Sequence, residues 1–320
     1  MTGSGPPGST SDSTRRRPRA APPPSLWRFG RDGAAIIVRN AEAVLAHLPL
    51  FLAGWPLEWA GPDTTGAAVD IDVTEHAGTI DVVALASNHC IASAGTMDAA
   101  NALAGALVGA FIARHPRMIC LHAGSVAIDG RLAVLIGASH AGKSSVALQL
   151  AAAGHRLFGD DRIALRTGGE DTGDGDRVDG LCLGLMPKLR LPLPPGCGAR
   201  FEEFVDGYTE LRDDSAVYLK PWEGEAASFG ETAPFGALVV LERVDGAPAT
   251  VERLDRATLL RAAIENATAP HLSAEQLVRR LGALAQRISG WRLRFGSSRD
   301  AAEALVSALR AAEGGSHGRA

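Results

Sequence analysis

The residues Gly137, Ala138, Ser139, His140, Ala141, Gly142, Lys143 and Ser144 fit the pattern GxxxxGK[ST] at every fixed position, and no other feature constrains the fold as much. Glycines in such a loop let successive backbone N–H groups converge on phosphate oxygens, and a helix starting at its end adds a positive terminus. The lysine reaches the β- and γ-phosphates, and the Ser hydroxyl is a Mg2+ ligand. The context agrees: apolar residues 132–136 read as a strand entering the loop, and 145–153 as the helix leaving it. Lysine occurs only at Lys143, Lys188 and Lys220, with arginine supplying the rest of the 32 basic residues, so a lysine inside the motif is hard to ascribe to composition. Residues 137–144, with Ser145 behind them, form a candidate nucleotide phosphate site.

The loop is entered from a hairpin. Residues 119–128 read as one strand, Asp129-Gly130 as a tight turn, and 132–136 as the returning strand. The parallel P-loop fold usually places its loop after an early strand of a βαβ unit, so a mixed sheet is expected here. Further strands are expected at 34–38, 68–73, 79–86, 157–165, 181–185 and 237–242. A helix capped by Thr96 carries the stripe Ala99, Leu103, Leu107, Phe111, read as core. Late helices are expected near 256–267, 274–288 and 299–312, with Ser273 and Ser298 as N-caps. Residues 1–24, rich in Pro, Ser and Arg, bury almost no apolar surface and read as a disordered tail; Arg15-Arg16-Arg17 is followed by no apolar core of a signal peptide. Acidic residues 168–180 read as a flexible loop. The expected division is therefore a tail (1–24), an α+β region (25–115) and a P-loop domain (116–315).

At 320 residues and a net charge of −4, with 46% hydrophobic and 21% charged residues, the chain can build one large or two modest cores. Mild acidity and 5% aromatics argue against a nucleic-acid surface. No uninterrupted apolar run approaches a membrane span, so no membrane partner is expected. The cysteines Cys90, Cys120, Cys182 and Cys197 form no CxxC pair, as suits reduced thiols in a cytoplasm.

Downstream of the loop the chain reads Gly154-His155-Arg156-Leu157-Phe158-Gly159-Asp160-Asp161-Arg162. Adjacent carboxylates at a strand end repel unless a cation or proton lies between them. Beside a phosphate loop, metal chelation and general-base duty account for the placement. His122 stands 21 residues before Lys143, and the aspartates 17 and 18 after it.

In this order and spacing, His122, the loop and the 154–162 block resemble the catalytic core of the HPr kinase/phosphorylase family, over about residues 115–165. That resemblance implies a phosphoenolpyruvate-carboxykinase-like P-loop fold and transfer of phosphate from ATP, with Mg2+, to a serine hydroxyl. It implies that Lys143 and the loop backbone hold phosphates and that Ser144 ligates Mg2+ together with one aspartate, taken as Asp161. The other carboxylate of the pair accepts the seryl proton, either being eligible, and His122 orients that base. Where the family carries a glutamate as a further metal ligand, residues 184–190 hold no carboxylate but two cations, Lys188 and Arg190, candidates for contacting phosphate or an anionic acceptor; Asp179 is an alternative ligand. The family's Arg-rich C-terminal block is missing, which removes the grounds for expecting HPr itself as substrate or a reverse reaction. The chain resembles instead the HPr-kinase-related proteins of peptide-modifying gene clusters. The expected acceptor is then a peptide, small protein or free serine, and the resemblance allows a homo-oligomer. Two alternatives are a small-molecule kinase and a nucleotide-binding sensor or scaffold that transfers little phosphate.

Overall fold

The computed structural model describes residues 24–30, 34–63, 66, 68–167, 178–220 and 224–316. Of the expected tail (1–24), residues 1–23 lie outside them, as do residues 168–177 of the expected loop (168–180); residues 178–180 belong instead to a strand, Val178–Cys182. The described chain is a mixed α/β structure.

Its first part forms a six-stranded sheet from β1 (Ser25–Phe29), β2 (Ile36–Arg39), β3 (Leu57–Pro62), β4 (Ile71–His76), β5 (Thr79–Ala84) and β6 (His89–Ser93), in the order β3-β1-β2-β4-β5-β6, with a short helix α1 (Glu42–Leu45) between β2 and β3. Alternation decides the faces: Ile71 and Val73, then Ile80 and Val82, are buried while their neighbours point outward. Helix α2 (Thr96–Arg114) packs on the buried face. Its N-cap is the extended Gly95, whose carbonyl accepts the Ala99 N–H; the expected cap Thr96 is already helical. The helix buries more than the expected stripe, since Ala100, Ala104 and Val108 are also in the core and Phe111 is only partly buried. Alone among the helices of the described residues, α2 is long and apolar enough by composition to cross a membrane; here it covers this sheet.

The second part contributes β7 (Met118–His122), β8 (Gly124–Ile128), β9 (Arg131–Ile136), α3 (Lys143–Ala152), β10 (Arg156–Gly159), β11 (Arg162–Thr167), β12 (Val178–Cys182), β13 (Lys188–Arg190), α4 (Ala199–Tyr208), β14 (Thr209–Arg212), β15 (Ala216–Leu219), β16 (Thr232–Arg243), β17 (Thr250–Arg253), α5 (Arg256–Asn266), β18 (Ala267–Thr268), α6 (Ala274–Arg287), β19 (Ser289–Phe295) and α7 (Ser298–Ser316). Ten strands order as β10-β8-β9-β16-β12-β11-β7-β18, with β19 beside β16 and β17 beyond it; β13-β15-β14 form a separate small sheet. Strands β9, β16 and β19 run parallel and the other pairs of the large sheet antiparallel. The Asp129-Gly130 turn has both φ values positive, +48° and +80°, as a two-residue hairpin with the native twist requires. Helices α3, α4 and α7 cover one face of the sheet, and α5 and α6 the other.

The expected strand 119–128 is broken at Ala123, and the one at 157–165 at Asp160-Asp161. The two breaks face each other. Arg162 lies opposite His122 and Gly159 opposite Ser125, so the register agrees on both sides of the gap. Within it the Ala123 N–H donates to the Asp161 carbonyl at 3.0 Å. Two long antiparallel strands thus share one kink, and the sheet curls back on itself there.

The N-terminal part is tied to this sheet beside the kink. Leu52 bridges Leu185, the Ala53 N–H donates to the Gly184 carbonyl at 2.8 Å, and the Trp55 indole N–H to the Leu183 carbonyl at 2.9 Å. Residues 184–186, in the segment that lacks a carboxylate, serve this junction. Gly184 sits at φ +71°, and a Cβ there would overlap the Ala53 carbonyl oxygen. Gly184→Ala is expected to destabilise by about 2–4 kcal/mol. Gly61→Ala, also at positive φ (+100°) but facing open space, should cost about 1 kcal/mol. Urea midpoints of the two variants check this, and equal shifts would contradict the close-packed junction.

Candidate functional site

Strand β9 ends at Ile136 and the chain turns through residues 137–142 into α3, which starts at Lys143, two residues earlier than expected. Gly142 is the N-cap at φ +91°, and a Cβ on it would press within 3.2 Å of the Phe295 ring. Only glycine serves at this point. No side chain caps α3, so its first N–H groups, at Lys143, Ser144 and Ser145, are available to an anion. The Lys143 ammonium donates to the Gly137 carbonyl at 2.9 Å and the Ala138 carbonyl at 3.1 Å. Burial lowers its pKa, while Asp161 and Asp160 pull it back up.

The two aspartates diverge. Asp160 points inward and is 3% exposed. Burial pushes its carboxyl up to about 6, assisted by the charge of Asp161 and opposed by the Ser144 hydroxyl and the N–H groups of Asp161 and Lys188. Its Oδ1 is buried without a hydrogen-bond partner. A buried carboxylate oxygen left unpaired beside a hydroxyl is the donor set expected of a cation site. Ser144 and Asp160 therefore fit Mg2+, and the loop fits the phosphates that would complete its shell. Among the described residues no cluster of three or more His, Cys, Asp or Glu side chains gathers.

Asp161 points outward, with 53% of its side chain exposed. Its φ of +63° is left-handed, and the Arg162 N–H reaches back to the Asp160 carbonyl at 2.7 Å across it. Such strain in a non-glycine residue persists only where the surroundings enforce it. Asp161 Oδ1 lies 3.6 Å from His122 Nε2, an ion-pair distance too long for a hydrogen bond, and Oδ2 lies 3.4 Å from Arg162 Nε. Burial lowers the His122 pKa, Asp161 raises it, and Lys143 and Arg162 lower it further. His122 is accordingly neutral at pH 7.

Strand β13 runs along the same site. The Lys188 N–H approaches Asp160 Oδ2 at 3.5 Å, but the Lys188 ammonium sits 4.7 Å above the Tyr218 ring. Arg190 lies 2.7 Å from the ring nitrogens of His140, on the phosphate loop. The structure thus brings His122, residues 137–145, Asp160, Asp161 and Arg190 together, with Lys188 contributing its backbone. Asp179 is not brought in. It faces Arg166 at 3.7 Å, four residues along β11 from Arg162 and so about 13 Å away. Sequence reasoning missed Arg162 and the contact of Ser144 with Asp160 rather than Asp161. The available signal was alternation, since adjacent residues of an extended chain point to opposite faces.

No protein-family model and no curated protein matches the chain. It is similar to a solved structure, that of the Hpr(Ser) kinase/phosphatase from Coxiella burnetii, with 14% identity and a TM-score of 0.31, over 61% of this chain and 95% of that one. Similarity at that level leaves the assignment of a function to the geometry of the site residues.

Proposed function

We propose that the chain is an ATP- and Mg2+-dependent kinase of the HPr-kinase type, acting in the cytoplasm on a serine hydroxyl of a peptide, small protein or free serine. Residues 116–315 would carry the phosphoenolpyruvate-carboxykinase-like P-loop fold, preceded by the α+β region. The hairpin entry to the loop and the mixture of parallel and antiparallel strands around β9 support that fold. The observation that carries the function is the division of labour at the kink: one aspartate buried against the P-loop serine, the other exposed against a neutral histidine.

In this reading the loop N–H groups, Lys143 and Arg190 hold and orient the phosphates. Mg2+, when bound, neutralises charge building on the phosphate oxygens. Ser144 and Asp160 hold it, so the inward aspartate takes the ligand role that the family resemblance suggests for Asp161. Asp161, reachable by an acceptor, takes the hydroxyl proton as the serine oxygen forms its bond to the γ-phosphorus and the bond to the β-phosphate oxygen breaks. His122, neutral and 3.6 Å from Asp161 Oδ1, flanks this base and leaves its negative charge intact. Phosphoryl transfer asks for positioning, a metal and a base, and these residues supply all three.

The test is γ-labelled ATP with Mg2+, offered serine peptides and free serine. Label is expected on a serine oxygen, with Lys143→Ala reduced by about 10²-fold or more. Tight ATP binding with no label on any acceptor would favour the sensor reading instead, to which the absence of a carboxylate in residues 184–190 lends support.

A further inference from the structure

Asp161 and Arg162 open onto a cleft of about 440 Å3 whose far wall belongs to the N-terminal part: Ile91 and Ala92 of β6 and Asp98 in the first turn of α2, with Leu185 beside them. Among the described residues strand β6 is the last strand of its sheet and pairs with β5 alone. Its outer edge therefore presents unpaired N–H and C=O groups. Natural sheets blunt such edges with proline, lysine or a covering element. The sequence of β6, HCIAS, has neither residue, and its first four positions are exposed. Ile91, at 37%, is among the few large apolar side chains left exposed in the described residues, and half-buried Leu185 lines the cleft with it. Two carboxylates, Asp98 and Asp161, stand there against one guanidinium, Arg162, which is paired with Asp161.

We propose that the acceptor is an extended peptide segment that adds as a seventh strand to the free edge of β6 and lies through this cleft, presenting its serine to Asp161. This rests on the kinase reading. Main-chain pairing would supply affinity, and alternate side chains the specificity. An apolar residue would cover Ile91 and Leu185, and a lysine or arginine near the serine would meet Asp98. Free serine would leave the cleft wet and the β6 edge unpaired.

The experiment uses the full chain, Mg2+, γ-labelled ATP and nine-residue peptides with a central serine, degenerate elsewhere. The expected selection is for basic and apolar neighbours, with the basic preference turned to acidic in Asp98→Lys. The best peptide is then N-methylated one residue at a time, which removes a main-chain donor without touching the protein. Strand addition predicts KM raised roughly three- to tenfold at alternate positions only. Transfer to peptides indifferent to N-methylation, equal kcat/KM for free serine, or transfer only to folded proteins would overturn the β6 docking and leave the kinase reading standing. No transfer to any hydroxyl would overturn both.

Discussion

Asp160→Asn should raise the melting temperature of the ligand-free protein while abolishing transfer. The folded-state pKa of Asp160 is raised from 3.8 to about 6 by burial. Between those values the native state binds more protons than the unfolded one, so stability falls as pH rises through the window. The contribution is full below about pH 4 and lost above about pH 6. At pH 7 the buried charge costs about 3 kcal/mol, which the neutral amide avoids while still accepting from the Ser144 hydroxyl. A rise of several degrees, about 5 °C, follows at pH 7.5, shrinking towards zero near pH 4. Mg2+ with ATP should stabilise the parent protein more than the variant, which keeps the phosphate loop but loses one cation ligand. Transfer should fall by at least about 10²-fold, because the partner of Ser144 at the cation is gone. Melting curves at the two pH values, with and without Mg2+–ATP, check both halves. A variant less stable than the parent at pH 7.5 would mean that the folded protein itself stabilises the Asp160 carboxylate, against the proposed role as a cation ligand.

The parts of this site that were legible in the sequence are those whose geometry is local. The phosphate loop is eight consecutive residues whose backbone conformation is dictated by its own glycines, and the Asp129-Gly130 turn likewise declares its positive φ values. Ser273 was legible as a cap because its partner Gln276 is three residues away, and the two form a complete capping box. Ser298 misled by one position: Ser297 accepts from the Asp300 N–H, and Ser298 is already helical. What the sequence did not reveal is set by pairing between distant segments. Nothing in residues 119–128 marks Ala123 as a break, because the break exists to meet the Asp161 carbonyl some forty residues on. The elements α4, β14 and β15 went unanticipated: the two strands are only four residues each, whereas α4 carries a helical stripe, Phe201, Phe204, Val205 and Tyr208, that was overlooked. The edge of β6 became a wall of the cleft beside Asp161 through the junction at Leu52 and Gly184. The candidate site residues could be named in advance. Which aspartate faces which partner is a tertiary fact.

That division sets the second large effect. Asp161→Asn should lower kcat by about 10²–10⁴-fold, the range for loss of a general base, with a much smaller change in the KM for ATP, because in this reading Asp161 is the base and not a ligand of the nucleotide or its metal. His122→Gln should cost less and act through pH. Burial holds the His122 pKa below its ordinary 6.5, so the ring is neutral at pH 7. As pH falls through that lowered value an imidazolium forms 3.6 Å from Asp161 and reduces its readiness to accept a proton, so the rate drops on the acid side. Asp160, with its pKa of about 6, imposes a second acid-side loss by surrendering the cation when protonated. The parent enzyme should therefore show an acid limb steeper than one proton. His122→Gln should retain a one-proton limb near pH 6, and saturating Mg2+ should move that remaining limb to lower pH by competing with the proton on Asp160. A limb in His122→Gln that ignores Mg2+ would detach Asp160 from the metal. An Asp161→Asn variant that keeps its rate while Asp160→Asn loses it would make the buried carboxylate the base and leave the exposed one without a catalytic role.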